Sequence, residues 1–350
     1  MTSPERVRKA LKLEMPDRVP ILEFLMDPKV AAKAVPGCKD VADAMDQLGM
    51  DGVGCGANFA VTQELGNNCF KDEWGVTYQR GPEMVAHPLV GPVETVEDIA
   101  RFTPPAPEAP HRLTQLKEIV TRYKGKRAIV FHHRAAFMWS AYVWGMENLL
   151  TGFLLEPEAS AVLLDKVLEA NMKIVRNAIR LGAEVIVLGD DYAHNGGPMM
   201  SPAVFREFLK PRLAKMVDLI HAEGALCIKH SDGNLYSLLD DIVETGPDGL
   251  NPIEPVAGME LATVKSLYGD RICLSGNIDC GQLLPFGTRE EVRQSVKKAI
   301  ADAGIGGGFI LSSSNSIHSS CNAANVVAMV KAGHEFGDYS KIGALHASIV

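Results

Sequence analysis

The chain has no run of basic residues, and its 35 Lys and Arg are outnumbered by 43 Asp and Glu, for a formal net charge of -8. Such a surface cannot neutralise a nucleic-acid backbone or an anionic membrane, which argues against DNA, RNA and lipid as partners. No stretch approaches about 18 uninterrupted apolar residues, and the N-terminal MTSPERVRKALKLEMPDR lacks the apolar core of a secretion signal. A cytoplasmic location is therefore expected. The seven cysteines (Cys38, Cys55, Cys69, Cys227, Cys273, Cys280, Cys321) are odd in number, scattered and free of any CxxC pair. This excludes a disulfide scaffold and argues against a zinc ribbon. There is no internal repeat. The Gly196-Gly197 pair is followed by neither a P-loop lysine nor a GxGxxG spacing, so it is no phosphate loop.

What remains is the balance of a globular protein with a large core, 47% hydrophobic and 22% charged over 350 residues. From residue 158 onward, amphipathic helical stretches alternate with short apolar runs: EVIVLG (184 to 189), ALCIK (225 to 229), DGLN (248 to 251), RICLSG (271 to 276) and GFILSS (308 to 313). The first half supplies RVPILEF (18 to 24), DGVGCG (51 to 56) and RAIVFHH (127 to 133). Eight short apolar strands, each covered by a helix, suit a closed parallel barrel better than an open sheet. The spacing predicts a (β/α)8 TIM barrel, an α/β fold, formed by residues 1–350 as a single domain. EWGVTYQR and MVAHPLVG, separated by GPE, predict a β-hairpin insertion near residues 74–91 that covers one side of the barrel mouth. The Pro-rich TPPAPEAPHR (103 to 112) reads as a stiff connector.

In such barrels the chemistry lies just past the C-terminal strand ends. Those positions here carry Glu23, Cys55 and Asn58, His132 with His133 and Arg134, Asp190 with Asp191, His230 with Asp232, Glu254, Asn277 with Asp279 and Cys280, then Asn315 with His318. The sharpest group is KHSDGN followed by NPIEP. His230 and Asp232, two apart at a strand end, project to the same side if extended geometry persists, and Glu254 ends the neighbouring strand. Imidazole and carboxylate are zinc donors, and a catalytic zinc keeps one position open. Cys280 completes the set with less loop rearrangement than Cys321. Each of these residues also has a plainer reading, His230 bonded to a carbonyl, Asp232 in an Asx turn and Cys280 inert in the core. Asp190 and Asp191 can share a proton or hold a cation. Of the adjacent His132 and His133 only one can face into the barrel. Tyr192, in the same GDDYAHNGG loop, joins Glu23, Asn58, Asn277, Asn315 and His318 as a candidate substrate contact. Phe137, Trp139, Tyr142 and Trp144 suit an apolar or aromatic substrate, or ordinary helix packing.

GDDYAHNGGPMMSPAVFREFLKPRLAKMVDLIHAEGALCIKHSDGN, DGLNPIEPVAGMELATVKSLYGDRICLSGNID and GGGFILSSSNSIH together resemble the uroporphyrinogen decarboxylase superfamily, including its corrinoid-dependent methyltransferase branch. The resemblance implies the same barrel. Decarboxylase members carry an N-terminal arginine-rich segment for substrate carboxylates, where this chain has PILEFLMDPK. The branch that methylates coenzyme M holds zinc on an HxC pair and a later Cys. Here those positions read His230-Ser231-Asp232 and Asn315, while Glu254 stands where related zinc methyltransferases place a carboxylate ligand. Oxygen donors leave a harder, more Lewis-acidic ion, suited to polarising an oxygen leaving group. The resemblance thus implies the substrate-demethylating component of an aryl methyl ether O-demethylase. It would move a methyl group from a methoxylated aromatic to the cobalamin of a corrinoid protein, and a homodimer is compatible with it. In that reading His230, Glu254 and Cys280 hold Zn2+, and Asp232 is a fourth ligand or orients one. Asp190 or Asp191 manages the phenol proton, with His132 or His133 beside it. Two rivals stand beside it: a cofactor-free decarboxylase using Asp190 or Asp191, and a noncatalytic corrinoid-protein-binding module.

Overall fold

In the computed structural model, which describes residues 1–347, seven parallel strands lie side by side in chain order: β1 (Gly52–Gly56), β2 (Ala128–His133), β3 (Val185–Gly189), β4 (Leu226–His230), β5 (Gly249–Asn251), β6 (Cys273–Ile278) and β7 (Phe309–Ser313). These are seven of the eight expected runs, to within a residue or two. The eighth, around Pro20, forms no ladder. Proline lacks the N–H that a ladder requires, so this stave makes single bonds on either side. Leu311 N donates to Pro20 O (2.9 Å), Leu22 N to Leu311 O (3.0 Å) and Asp51 N to Ile21 O (2.8 Å). The segment thereby bridges β7 to β1 and closes the ring of a TIM-barrel-like α/β fold.

Two apolar layers result. Side chains alternate across each strand, so Val130, Val187, Ile228 and Ile310 point into the barrel, where they meet Leu22 and the helix Ser3–Leu11, which plugs the lower end through Val7, Ala10 and Leu11. The opposite faces, Ile129 and Phe131 of β2 among them, pack against the outer helices in the larger core. Below the barrel, the buried Asp51 carboxylate accepts from Arg6, Arg18, Ser3 Oγ and Ile21 N, tying the first stave to β1.

The insertion is larger than a hairpin. Thr77–Gln79 pairs with His87–Val90 inside the expected 74–91 region, but Val61–Gly66 and Cys69–Asp72 precede them, making a four-stranded antiparallel sheet. The missed hairpin turns at Gly66-Asn67-Asn68, all at positive φ, which Gly and Asn tolerate. Its first strand is exposed throughout and so carries no apolar alternation to reveal it. Among the described residues no helix is long and apolar enough to cross a membrane.

Candidate metal centre and substrate cavity

The period-two logic that makes the lower barrel apolar makes its mouth polar. Two residues beyond Val130, Val187 and Ile228 on the same face come His132, Gly189 and His230, and β5 contributes Asn251 beside His230 in register. These residues, with Glu23, Arg134, Asp191, Asp232, Ser313 and Asn315, line a cavity of about 330 Å³ at the C-terminal strand ends. Phe24, Leu25, Phe59 and Trp139 form its apolar wall, and Val85 reaches in from the inserted sheet, which does cover one side of the mouth.

His230 is the centre of the polar side. Asn251 spends its Nδ2 as donor to Ser275 O (3.1 Å) and Ser312 Oγ (3.1 Å), so its Oδ1, 2.6 Å from His230 Nδ1, is an acceptor. Nδ1 must therefore carry the proton, and Nε2 presents its lone pair to the cavity. That lone pair faces oxygens: Asp232 Oδ1 at 3.5 Å and Asp191 Oδ1 at 3.8 Å. Asp232 Oδ2 is held by Asn315 Nδ2 at 2.5 Å, while its Oδ1 is buried with no hydrogen-bond partner. Burial and the nearby Asp191 and Glu254 push the Asp232 carboxyl up, with His230 opposing. Three electron-rich atoms from Asp191, His230 and Asp232 lie within 4.8 Å of one another. Atoms bound at about 2.1 Å around a tetrahedral ion lie roughly 3.4 Å apart, so the trio fits a small cation with one nitrogen and two oxygen donors. Gly233 makes the approach feasible. At φ +87° it brings the loop so close to Ala193 that a Cβ would stand 2.5 Å from that residue's carbonyl carbon.

Three expected placements change. Glu254 does not join the trio. Its Oε2 accepts from Gly233 N at 2.7 Å and braces the loop that carries Asp232, because the chain turns into a short 3-10 helix directly after it. Cys280 is also absent from the cavity. It sits in the core with Ser314 Oγ 3.5 Å from its sulfur, and burial pushes its thiol up to about 11. Asp191, expected as a proton-handling group, occupies the third donor position. Its neighbour Asp190 faces the other way, as alternation demands, and its two oxygens accept from the backbone N–H groups of Ala135, Ala136, Phe137 and Met138. It seats the start of the helix Phe137–Trp144 and is not among the residues lining this cavity.

The two histidine rings point to opposite sides of β2, although both residues border the cavity. His132 faces in, with both ring nitrogens buried and unpartnered, and burial pushes it down to about 4. His133 faces the outer helices, bonded to Asn171 at 3.0 Å, and is pushed by burial down to about 3. Of the expected substrate contacts, Glu23 and Asn315 line the cavity. Burial pushes Glu23 up to about 8 against two bonds from Ser313. The others point elsewhere: Asn58 to Thr114 Oγ1, Tyr192 into the core between Phe137 and Phe205, Asn277 to Ile253 O, and His318 to Cys280 O. Asn251, Ser313 and the wall formed by Phe24 and Phe59 were not anticipated. Asn251 was legible as the polar residue closing the apolar DGLN run, while the Phe side chains carry no signal apart from their position after a strand.

The family model for uroporphyrinogen decarboxylase (URO-D) matches residues 72–336, well over half of the chain. The chain belongs to the uroporphyrinogen decarboxylase family. Within it, relatives of two kinds are found. A uroporphyrinogen decarboxylase of Shewanella loihica is 24% identical over 257 residues, 70% of each chain, and one of Dichelobacter nodosus is 26% identical over 180 residues, 51% of this chain and 49% of that one. The methylcobamide:CoM methyltransferase MtaA of Methanosarcina barkeri is 30% identical over 173 residues, 49% of this chain and 48% of that protein. The chain thus spans between about half and 70% of the length of these curated relatives. A solved methyltransferase from Methanosarcina mazei shares the fold with a TM-score of 0.79 at 22% identity, covering 96% of this chain and 99% of that one.

Proposed function

We propose that this family member is a metal-dependent methyltransferase that moves a methyl group from a methoxylated aromatic to the cob(I)alamin of a partner corrinoid protein. The observation that carries this reading is the Asp191–His230–Asp232 trio, whose bare Nε2 and unpartnered Oδ1 face one point on the cavity wall. The methyltransferase relatives support it, and the aromatic wall of Phe24, Phe59 and Trp139 suits a flat, apolar ring. A zinc ion held by the trio would supply Lewis acidity at the ether oxygen, making it a better leaving group.

The protein's own residues do the rest. Asn251 fixes the imidazole tautomer, Glu254 and Gly233 fix the loop of Asp232, and Asn315 turns Asp232 so that one oxygen stays free. The inserted sheet and the Phe residues exclude water beside the reacting C–O bond. A cob(I)alamin on the partner would supply the electron pair for the new bond to the methyl carbon, and the pair of the broken C–O bond would stay on the ether oxygen beside the trio. The cavity opens at the barrel mouth, so the same face must admit the corrinoid domain.

The decarboxylase relatives favour a second reading, without metal, in which Asp191 stabilises a charged intermediate. Asp190 cannot serve it, being consumed by four backbone amides. Metal analysis of the purified protein, followed by incubation with methoxybenzenes and a reduced corrinoid protein, separates the two. About one zinc per chain and methylcobalamin absorbance are expected. A metal-free protein that forms no methylcobalamin would refute the methyltransferase reading.

A further inference from the structure

Arg134 lines the cavity as a cation that forms no ion pair with any carboxylate among the described residues. It follows β2, and its Nε donates to Gly189 O at 3.1 Å, which pins the base of the guanidinium across the top of β3. The rest of the fork makes no hydrogen bond and pairs with no carboxylate among the described residues. Tyr142 and Trp139 hold its plane, with ring centroids 5.1 and 5.9 Å from the guanidinium carbon. Burial works against its charge, but Tyr142, Asp191 and Asp190 more than restore it. The free donors of this half-buried guanidinium stay open to the cavity, and its flat fork matches a carboxylate with two parallel bonds.

The charge balance around the cavity points the same way. A divalent cation on Asp191 and Asp232 would cancel those two carboxylates, and Glu23, buried against Ser313, favours its neutral form. With the ion bound, Arg134 would remain as the unbalanced charge beside a wall of Phe24, Phe59 and Trp139. The volume of about 330 Å³ accommodates one ring with small substituents.

We propose that the substrate is an aromatic carboxylate, a single ring whose acid group is held by the free fork of Arg134 while its ether oxygen faces the Asp191–His230–Asp232 trio. This rests on the methyl-transfer reading for the ether, though not for the acid.

The test is direct binding to the zinc-loaded full-length protein by calorimetry. The probes are 3-methoxybenzoate, its neutral planar counterpart 3-methoxybenzamide, 3-hydroxybenzoate and benzenesulfonate. Wild type is expected to bind the benzoates at least tenfold more tightly than the amide. Arg134→Met should abolish that preference, and Arg134→Lys should retain part of it, with thermal unfolding of both variants within a few degrees of wild type. Equal binding of acid and amide, or an acid preference that survives Arg134→Met, would overturn the assignment. Tenfold tighter binding of the sulfonate than of the benzoates would overturn the carboxylate in favour of a tetrahedral anion. Since 3-hydroxybenzoate has no methyl group to give, an acid preference without methylcobalamin formation condemns the methyl-transfer reading and leaves Arg134 standing. Methylcobalamin formed equally well from neutral methoxybenzenes does the reverse.

Discussion

Glu23 offers a measurement in which the architecture of the mouth reads out as pH-dependent stability. Ser313 Oγ lies 2.7 Å from Glu23 Oε2 and also within hydrogen-bond reach of the Asn315 carbonyl. A hydroxyl has one hydrogen and a carbonyl can only accept. With its hydrogen on Glu23, Ser313 favours the carboxylate, as its backbone N–H does; with its hydrogen on Asn315 O, only the acid form of Glu23 completes the bond. Burial favours the acid form and outweighs the two Ser313 bonds, lifting the group from 4.5 to about 8. A raised folded value means that the native state keeps a proton which the unfolded chain releases. The stabilisation is fully present below pH 4.5 and is lost as pH rises toward 8. At about 1.4 kcal/mol per pH unit, wild type should lose roughly 3–5 kcal/mol relative to Glu23→Gln across that window, because the amide stays neutral throughout. Urea unfolding of both proteins at pH 5, 6, 7, 8 and 9 gives the difference. A gap that does not change between pH 5 and 8 refutes the account, since Glu23 would then be ionised in the fold or freely hydrated.

The adjacent aspartates should separate by assay. Asp190→Ala strips four backbone N–H groups of their acceptor and should cost about 2–4 kcal/mol of stability with little change in zinc affinity. Asp191→Ala should leave stability nearly unchanged and lower zinc affinity at least tenfold in a chelator competition; the opposite pattern would reassign the trio. Asn251→Ala removes the acceptor that sets the His230 tautomer and should cost about 10–100-fold in zinc affinity. Unchanged affinity would mean that Nε2 is not the donor.

The strand order, the barrel and the polar character of its mouth were all legible along the chain, because short apolar runs with helical stretches between them are local patterns. So was the His230–Asp232 pair, whose spacing of two survives wherever backbone stays extended past a strand end. The partner residues were not legible. Whether Glu254 or Asp191 completes the trio depends on a left-handed glycine and a 3-10 turn that aim one carboxylate at Gly233 N and leave the other free. Asp190 and Asp191 are identical in composition, and only their places on opposite faces of one segment make one a helix seat and the other a candidate ligand. The first stave, recognised by its apolar letters, closes the ring through isolated bonds, because Pro20 denies it a ladder. Arg134 bonds Gly189 O but no carboxylate among the described residues, and no spacing rule encodes that, since the distance from a guanidinium to each carboxylate is a property of the packed molecule. Sequence determined which chemical groups gather at the mouth. Tertiary structure decided which of them face one another, because direction in a barrel is set by strand parity and loop geometry acting over long separations.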